Sequence, residues 1–286
     1  MGNKINIYTP IAINEIGERT NNEDTVYPAK ENATNNDNLF MVCDGVGGAN
    51  KGEIASHITT NIISEYIKNI NNKNDITQED INQAILKAEN AVEQHINQNF
   101  ECKGMATTLT LLCINKENGI IAWVGDSRIY IIRDGNIIFK SRDHSLVNYL
   151  IDTGEITEEE AKTHPKKNVI LKAIQGNEDN VKAEIRKVND IKADDYFFLC
   201  TDGVLENISD NMLASLCIAK NNEADIMKDI QQQCEGKTKD NFSAYIIKIK
   251  DNDNYNLPKR KKKLTLAILL ISLILLAISL LWIYNN

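Results

Sequence analysis

The chain has 286 residues, 42% hydrophobic and 25% charged, a balance that excludes intrinsic disorder and suits one large globular domain. Five of its 32 basic residues are consecutive, Lys259 to Lys263; setting them aside leaves 27 against 40 acidic residues over 1–258, a net of −13. That excess excludes nucleic-acid binding through bulk electrostatics, and any phosphate has to be held by local cations. The six cysteines form no CxxC pair and read as small hydrophobes in a reducing compartment. The four histidines show no zinc spacing, so a metal here has to be held by oxygen.

In chain order, a first strand is expected over 5–13 and a second over 39–43. The second, LFMVC, runs straight into Asp44 and a loop of three glycines within four positions. Two amphipathic helices follow at 53–70 and 79–99, the latter opened by a capping-box variant of Thr77 and Asp80. Strands are expected at 107–114, 119–124, 128–133 and 136–139, with Arg133-Asp134-Gly135-Asn136 turning the last hairpin. Segment 144–182 reads as an inserted flap with short helices at 144–152 and 157–162. A strand at 195–200, helices at 209–219 and 223–234 and a last strand at 242–249 complete a domain of residues 1–250. Grouped strands and paired helices give an α+β layout with antiparallel sheets, not alternating βα units.

Beyond a polar linker the composition changes. Leu264 to Tyr284 holds 21 residues without a charge, about the 30 Å of a bilayer core as a helix. The basic run before it, within the linker 251–263, predicts a single-pass C-terminal anchor in membrane lipid with the domain on the cytoplasmic side. The bland alternative for the segment is a buried core helix.

Asp44, Asp126 and Asp202 each follow an apolar strand, and Asp240 stands just before one. Asp-Gly and Gly-Asp-Ser are ordinary turn formers, so each alone is consistent with a simple turn. If the last strand lies antiparallel to its neighbours, all four carboxylates collect at one edge. Converging carboxylates stay ionised only with a compensating cation, and an all-oxygen set points to Mg²⁺ or Mn²⁺. Nucleotide-loop readings are weak: Asn50 stands where a dinucleotide fingerprint has its last glycine, and Lys51 precedes Gly52 instead of following a glycine.

Nine strings occur in order: RTNNED (19–24), DGVGG (44–48), ATTL (106–109), GDSR (125–128), DHS (143–145), GEITEEEA (154–161), HPKKNV (164–169), TDG (201–203) and DN (240–241). Together they resemble the metal-dependent Ser/Thr protein phosphatases of the 2C (PPM) type, bacterial branch. The resemblance implies an αββα sandwich of two antiparallel sheets flanked by helix pairs, with two or three Mn²⁺ or Mg²⁺ ions at one end. It implies that Asp44 bridges two metals, Asp202 and Asp240 complete one shell, and Glu23 and the Gly45 carbonyl serve the other, with Asp24 acting through bound water. Asp126, with Asp202, matches a third-metal position, and Arg19 matches the phosphate clamp. The implied reaction is hydrolysis of phosphoserine and phosphothreonine by in-line attack of a metal-bridging hydroxide. The implied partners are phosphorylated proteins, with a Ser/Thr kinase and its substrates as natural counterparts. The alternative is a catalytically silent, membrane-anchored scaffold of the same fold; a third reading is hydrolysis of phosphorylated small molecules at the same site. Two positions depart from the family: Val46 stands where eukaryotic members have a histidine, which leaves the general acid unassigned, and Lys167 stands where an arginine is common. His144 and His164 read as structural.

Overall fold

Several strands of this chain are apolar at every position, and such a strand has to be covered on both faces. The computed structural model describes residues 4–47, 51–70, 75–176, 181–220 and 222–251. In chain order the strands are β1 (Ile11–Glu15), β2 (Thr25–Tyr27), β3 (Leu39–Cys43), β4 (Gly45–Val46), β5 (Ala106–Thr107) and β6 (Leu109–Ile114). They continue with β7 (Gly119–Val124), β8 (Arg128–Arg133), β9 (Asn136–Lys140), β10 (Glu184–Val188), β11 (Tyr196–Cys200) and β12 (Phe242–Lys248). The helices are α1 (Gly52–Ile70), α2 (Gln78–Gln98), α3 (Leu146–Asp152), α4 (Glu158–Thr163), α5 (Asp202–Leu205), α6 (Asp210–Ala219) and α7 (Glu223–Cys234).

Two five-stranded antiparallel sheets form, ordered β1-β12-β11-β8-β9 and β10-β7-β6-β3-β2. Alternation along each strand sorts its side chains into layers. In β3, Phe40 and Val42 join the cluster between the sheets, with Phe197, Leu199, Tyr245 and Ile247 from the other sheet. Leu39, Met41 and Cys43 point the other way, into a cluster with Ile63 and Ile67 of α1 and Ile81, Ile85 and Val92 of α2. Phe198 and Ile246 likewise face away from the first cluster, onto Leu213 of α6 and Ile226 and Ile230 of α7. The result is the expected αββα sandwich. All six cysteines are free and buried within it. Thr77 caps α2 in the expected box: its hydroxyl accepts from the Asp80 amide, and the Asp80 carboxylate accepts from the Thr77 amide.

Register then gathers one end of many strands at a single rim. Thr25 at the start of β2 pairs with Cys43 at the end of β3, and Leu109 at the start of β6 with Val124 at the end of β7. Across the other sheet, Cys200 at the end of β11 pairs with Arg128 and Ala244 near the starts of β8 and β12. The strand ends leading to Asp24, Asp44, Asp126, Asp202 and Asp240 therefore share this rim.

Three expectations shift in detail. The strand expected at 5–13 is interrupted by Pro10, which has no N–H to give a ladder; Ile7 makes an isolated bridge to Ile249 and β1 resumes at Ile11. Asp202 does not merely trail a strand: it opens the short helix α5, preceded by Thr201 in extended conformation. The short strands β2, β4 and β5 and the polar strand β10 were not expected. The expected anchor at 264–284 and its basic run 259–263 lie outside the described residues, and no described helix is long and apolar enough to cross a membrane.

Glycines permit the closest approaches at the rim. A Cβ on Gly203 would overlap the carbonyl oxygen of Asn241, and one on Gly17 (φ +59°) would overlap that of Asp240. The Asp240–Asn241 backbone thus lies between two residues with no side chain. Gly203→Ala is expected to lower unfolding free energy by about 1–3 kcal/mol, the usual cost of forcing a methyl into a filled space; denaturant unfolding with an unchanged midpoint would contradict this packing.

Candidate metal centre

Asp44 continues the even-numbered face of β3 and so emerges at the rim between the sheets. Its backbone is held by Thr107 of β5 and by Thr108, the residue after it. The Thr108 amide and the Thr107 hydroxyl both donate to the Asp44 carbonyl at 2.8 Å, and the Thr108 hydroxyl accepts from the Asp44 amide at 2.9 Å. Thr108 shares a further hydrogen bond of 2.7 Å with Ser127, which ties the ATTL and GDSR strings together. Gly45 and Gly52 pack backbone to backbone, with a Cβ on Gly52 only 2.6 Å from the Gly45 carbonyl oxygen and 2.9 Å from Glu23 Oε2. The Gly45 carbonyl, Glu23 and the start of α1 are thereby brought into contact.

The loop after β1 is pinned by Asn241. Its Nδ2 donates to the carbonyls of Ile16 (2.8 Å) and Asn21 (2.9 Å), and its Oδ1 accepts from the Glu23 amide at 2.9 Å. The Ser56 hydroxyl of α1 donates to the Glu23 carbonyl at 2.7 Å. Asp24 is 5% exposed and accepts from the Thr201 hydroxyl at 3.0 Å. Arg19 donates to Asp240 Oδ2 at 2.7 Å, so the expected clamp and one expected ligand are paired with each other. Both are solvent-accessible, and an exposed pair of this kind is worth only about 0–1 kcal/mol, so the guanidinium exchanges partners easily.

The flap is fastened at the same rim. Arg128 grips Asp143 through Nε (2.8 Å) and Nη2 (2.7 Å). The His144 amide donates to the Gly125 carbonyl at 2.9 Å, and His144 Nδ1 accepts from the Gly125 amide at 3.1 Å. His144 therefore shapes the turn that carries Asp126. Burial holds its imidazole below the ordinary range. His164 accepts from the Lys166 amide in a surface turn at 3.1 Å.

Electrostatics single out the acidic group. Burial first, and then mutual repulsion, pushes Asp44 well above the ordinary carboxylate range. The same causes raise Asp24 to about 8, Asp126 to about 7, and Asp202 in the same direction. Burial and Glu53 raise Glu23. The nearby Asp44 carboxyl acts against the rise at Asp202. One oxygen each of Asp24, Asp126 and Asp202 is buried without a partner, which in a native protein calls for an ion or water. Among the described residues, no three His, Cys, Asp or Glu side chains enclose a common point at ligand distance. Oxygen-only donors, orphan lone pairs and concentrated negative charge nevertheless fit a hard divalent cation.

Beside these carboxylates lies a cleft of about 350 Å³, lined by Arg19, Asn21, Glu23, Lys51, Glu53 and Asn241. Lys51 adds a second cation there, 3.9 Å from Glu53. Sequence reasoning treated Lys51 only as a failed nucleotide-loop lysine, and gave Asn241 no role beyond its place in the DN string.

Carboxyls raised on folding make the folded chain bind more protons than the unfolded one, so their contribution to stability falls as pH rises. Without added divalent ion, the thermal midpoint is expected to drop as pH rises from about 4, where these acids ionise in the unfolded chain, and to level off once Asp126 at about 7 and Asp24 at about 8 have ionised in the folded one. Saturating Mn²⁺ should bind the ionised form and abolish the drop. A midpoint that stays flat or rises over that range in ion-free buffer would contradict this reading.

Comparison with known proteins agrees with the architecture. A sequence model of the protein phosphatase 2C family matches residues 14–246. The protein phosphatase PhpP of Streptococcus pneumoniae is 34% identical over 202 residues, covering 69% of this chain and 79% of its own length. The crystal structure of the Mycobacterium tuberculosis serine/threonine phosphatase PstP/Ppp superposes with a TM-score of 0.76 at 26% identity, over 86% of this chain and all of that one. The catalytic domain of PstP in complex with two manganese ions superposes with a TM-score of 0.72 at 25% identity, over 86% of this chain and all of that one. The chain belongs to the protein phosphatase 2C family of metal-dependent phosphoprotein phosphatases.

Proposed function

We propose that this chain hydrolyses phosphoserine and phosphothreonine in proteins at the rim described above, tethered to the cytoplasmic face of a membrane. The observation that carries the reading is the gathering of Asp24, Asp44, Asp126 and Asp202 at one rim with three orphan oxygens, beside a cleft bearing Arg19 and Lys51. In this reading two divalent ions would be held by Asp44 in common, one of them also by Asp202 and Asp240 and the other also by Glu23 and the Gly45 carbonyl. Asp24 acts through water, and Asp126 with Asp202 offers a third place. Divalent ions held there supply a water ionised near neutral pH and positive charge facing the phosphoryl oxygens.

The chain's own residues do the rest. Arg19 releases Asp240 and takes the phosphoryl group through paired N–H donors, and Lys51 adds charge from the other wall. Thr107 and Thr108 hold Asp44 still, and Asn241 holds Glu23. No side-chain nucleophile is required. Burial raises the Cys43, Cys113, Cys200, Cys217 and Cys234 thiols, which leaves them inert.

Membrane tethering rests on residues 259–284, where five basic residues precede 21 uncharged ones. The reading places phosphorylated cytoplasmic proteins, or cytoplasmic parts of membrane proteins, within reach.

The purified full chain should release phosphate from phosphoserine and phosphothreonine peptides only with Mn²⁺ or Mg²⁺, unaffected by cysteine alkylation. Asp44→Ala should lower kcat by about a hundredfold or more, on the scale of losing a principal electrostatic stabiliser; full turnover in that variant would overturn the assignment. In cells the chain should sediment with membranes, and deleting 264–284 should free it. Sedimentation unchanged by the deletion would remove the tether.

A further inference from the structure

Glu89 lies in the middle of α2, 2% exposed, and no step of the proposed reaction uses it. A carboxylate at such a place needs donors, and it takes them from the backbone of the flap's far end. Its Oε2 accepts from the Gly176 amide at 2.7 Å and the Gln175 amide at 3.3 Å. Gly176 sits at φ +67° against the backbone of Glu93, one turn further along α2, where any side chain would collide. The segment is therefore seated on the helix by two independent contacts.

The preceding residue carries the connection inward. Ile174 is fully buried, and it exchanges two backbone hydrogen bonds with Thr107, 2.9 Å from the Thr107 amide and 2.8 Å back to its carbonyl. Thr107 is the residue whose hydroxyl holds the Asp44 carbonyl, and its strand β5 pairs with Gly45 of β4. Four short steps, Glu89 to Gly176, Ile174, Thr107 and Asp44, join a buried helix carboxylate to the rim. The flap's other end is tied through His144 and Gly125 beside Asp126, so both roots of the flap brace loops of the acidic group.

We infer that Glu89 is a positioning residue: it latches the C-terminal root of the flap onto α2 and, through the Ile174–Thr107 pair, holds the Asp44–Gly45 turn in place for turnover. The inference rests on the phosphatase reading for its kinetic consequence but not for its structural one. Burial pushes the Glu89 carboxyl up while the Gly176 and Gln175 amides act against that shift, in keeping with a group whose charge is used by the backbone.

The test compares Glu89→Leu and Glu89→Gln with the wild-type full chain, by steady-state kinetics on an aryl phosphate and a phosphopeptide and by amide hydrogen exchange. Glu89→Leu should lower kcat about tenfold on both substrates, the equivalent of one charge-assisted hydrogen bond, with KM changed less than about twofold. Its amides at Thr107, Thr108, Ile174, Gln175 and Gly176 should exchange faster, while those of β11 and β12 keep wild-type rates. Glu89→Gln, which retains an acceptor, should recover most of kcat. Full kcat in Glu89→Leu, equal loss in Glu89→Gln, or faster exchange throughout β11 and β12 would each overturn the latch. If Glu89→Leu does not fold, the wild-type chain decides: slow exchange at the Gly176 amide supports the inference, and exchange at the rate of a free amide overturns it. A wild-type chain that releases no phosphate would defeat the phosphatase reading, and the exchange pattern would still decide the latch.

Discussion

Carboxylates pressed together away from water repel one another, and no arrangement of the chain alone removes that repulsion. Here Asp24, Asp44, Asp126 and Asp202 are each driven toward the neutral form by burial and by their neighbours. A fold that stabilised only itself would have apolar residues at these positions. Keeping four acids at one rim makes sense when a cation completes the group, and the surrounding structure is organised around that requirement. The two sheets bring the strand ends together, glycines at 17, 45, 52 and 203 remove side chains from the close approaches, and threonine, serine and asparagine hold the backbones.

The sandwich and the site are one device. Because each central strand is covered by helices on one side and the opposite sheet on the other, its direction is rigidly set by packing. A residue one step beyond such a strand inherits that rigidity, which is a better support than a loop alone. Asp44 follows β3 and Asp202 follows β11 by way of Thr201, and both gain position from cores they do not belong to. Arg19 is different: it stands on an exposed loop pinned by Asn241 and pairs with Asp240 through a weak, exchangeable contact. The phosphate-clamping role proposed for Arg19 needs that freedom, and the fixed carboxylates do not.

Much of this was legible in the sequence because strands buried on both faces leave continuous apolar runs, and LFMVC, YFFLC and FSAYIIK, each within two residues of an Asp, mark the rim. What was not legible follows from the same physics. The strand Glu184–Val188 is an edge strand with a mixed, mostly exposed sequence, and Thr25–Tyr27 is only three residues long, so neither leaves a periodic signal. Pro10 marked the break in the first strand, and its missing N–H was the available clue. Asn241 contributes three hydrogen bonds to a loop some 220 residues earlier, and Glu89 grips amides 86 and 87 residues later. Long-range partners of single polar side chains leave no local pattern. The pairing of Arg19 with Asp240 was hidden for the same reason.

The central claim is that the acidic rim exists to be completed by metal ions, and isothermal titration of the metal-free full chain with Mn²⁺ reads it directly. The account predicts at least two ions bound per chain, with Asp44→Ala losing the shared pair and Gly203→Ala weakening it. A chain that binds no Mn²⁺, or whose Asp44→Ala variant binds it as the wild type does, would contradict the account.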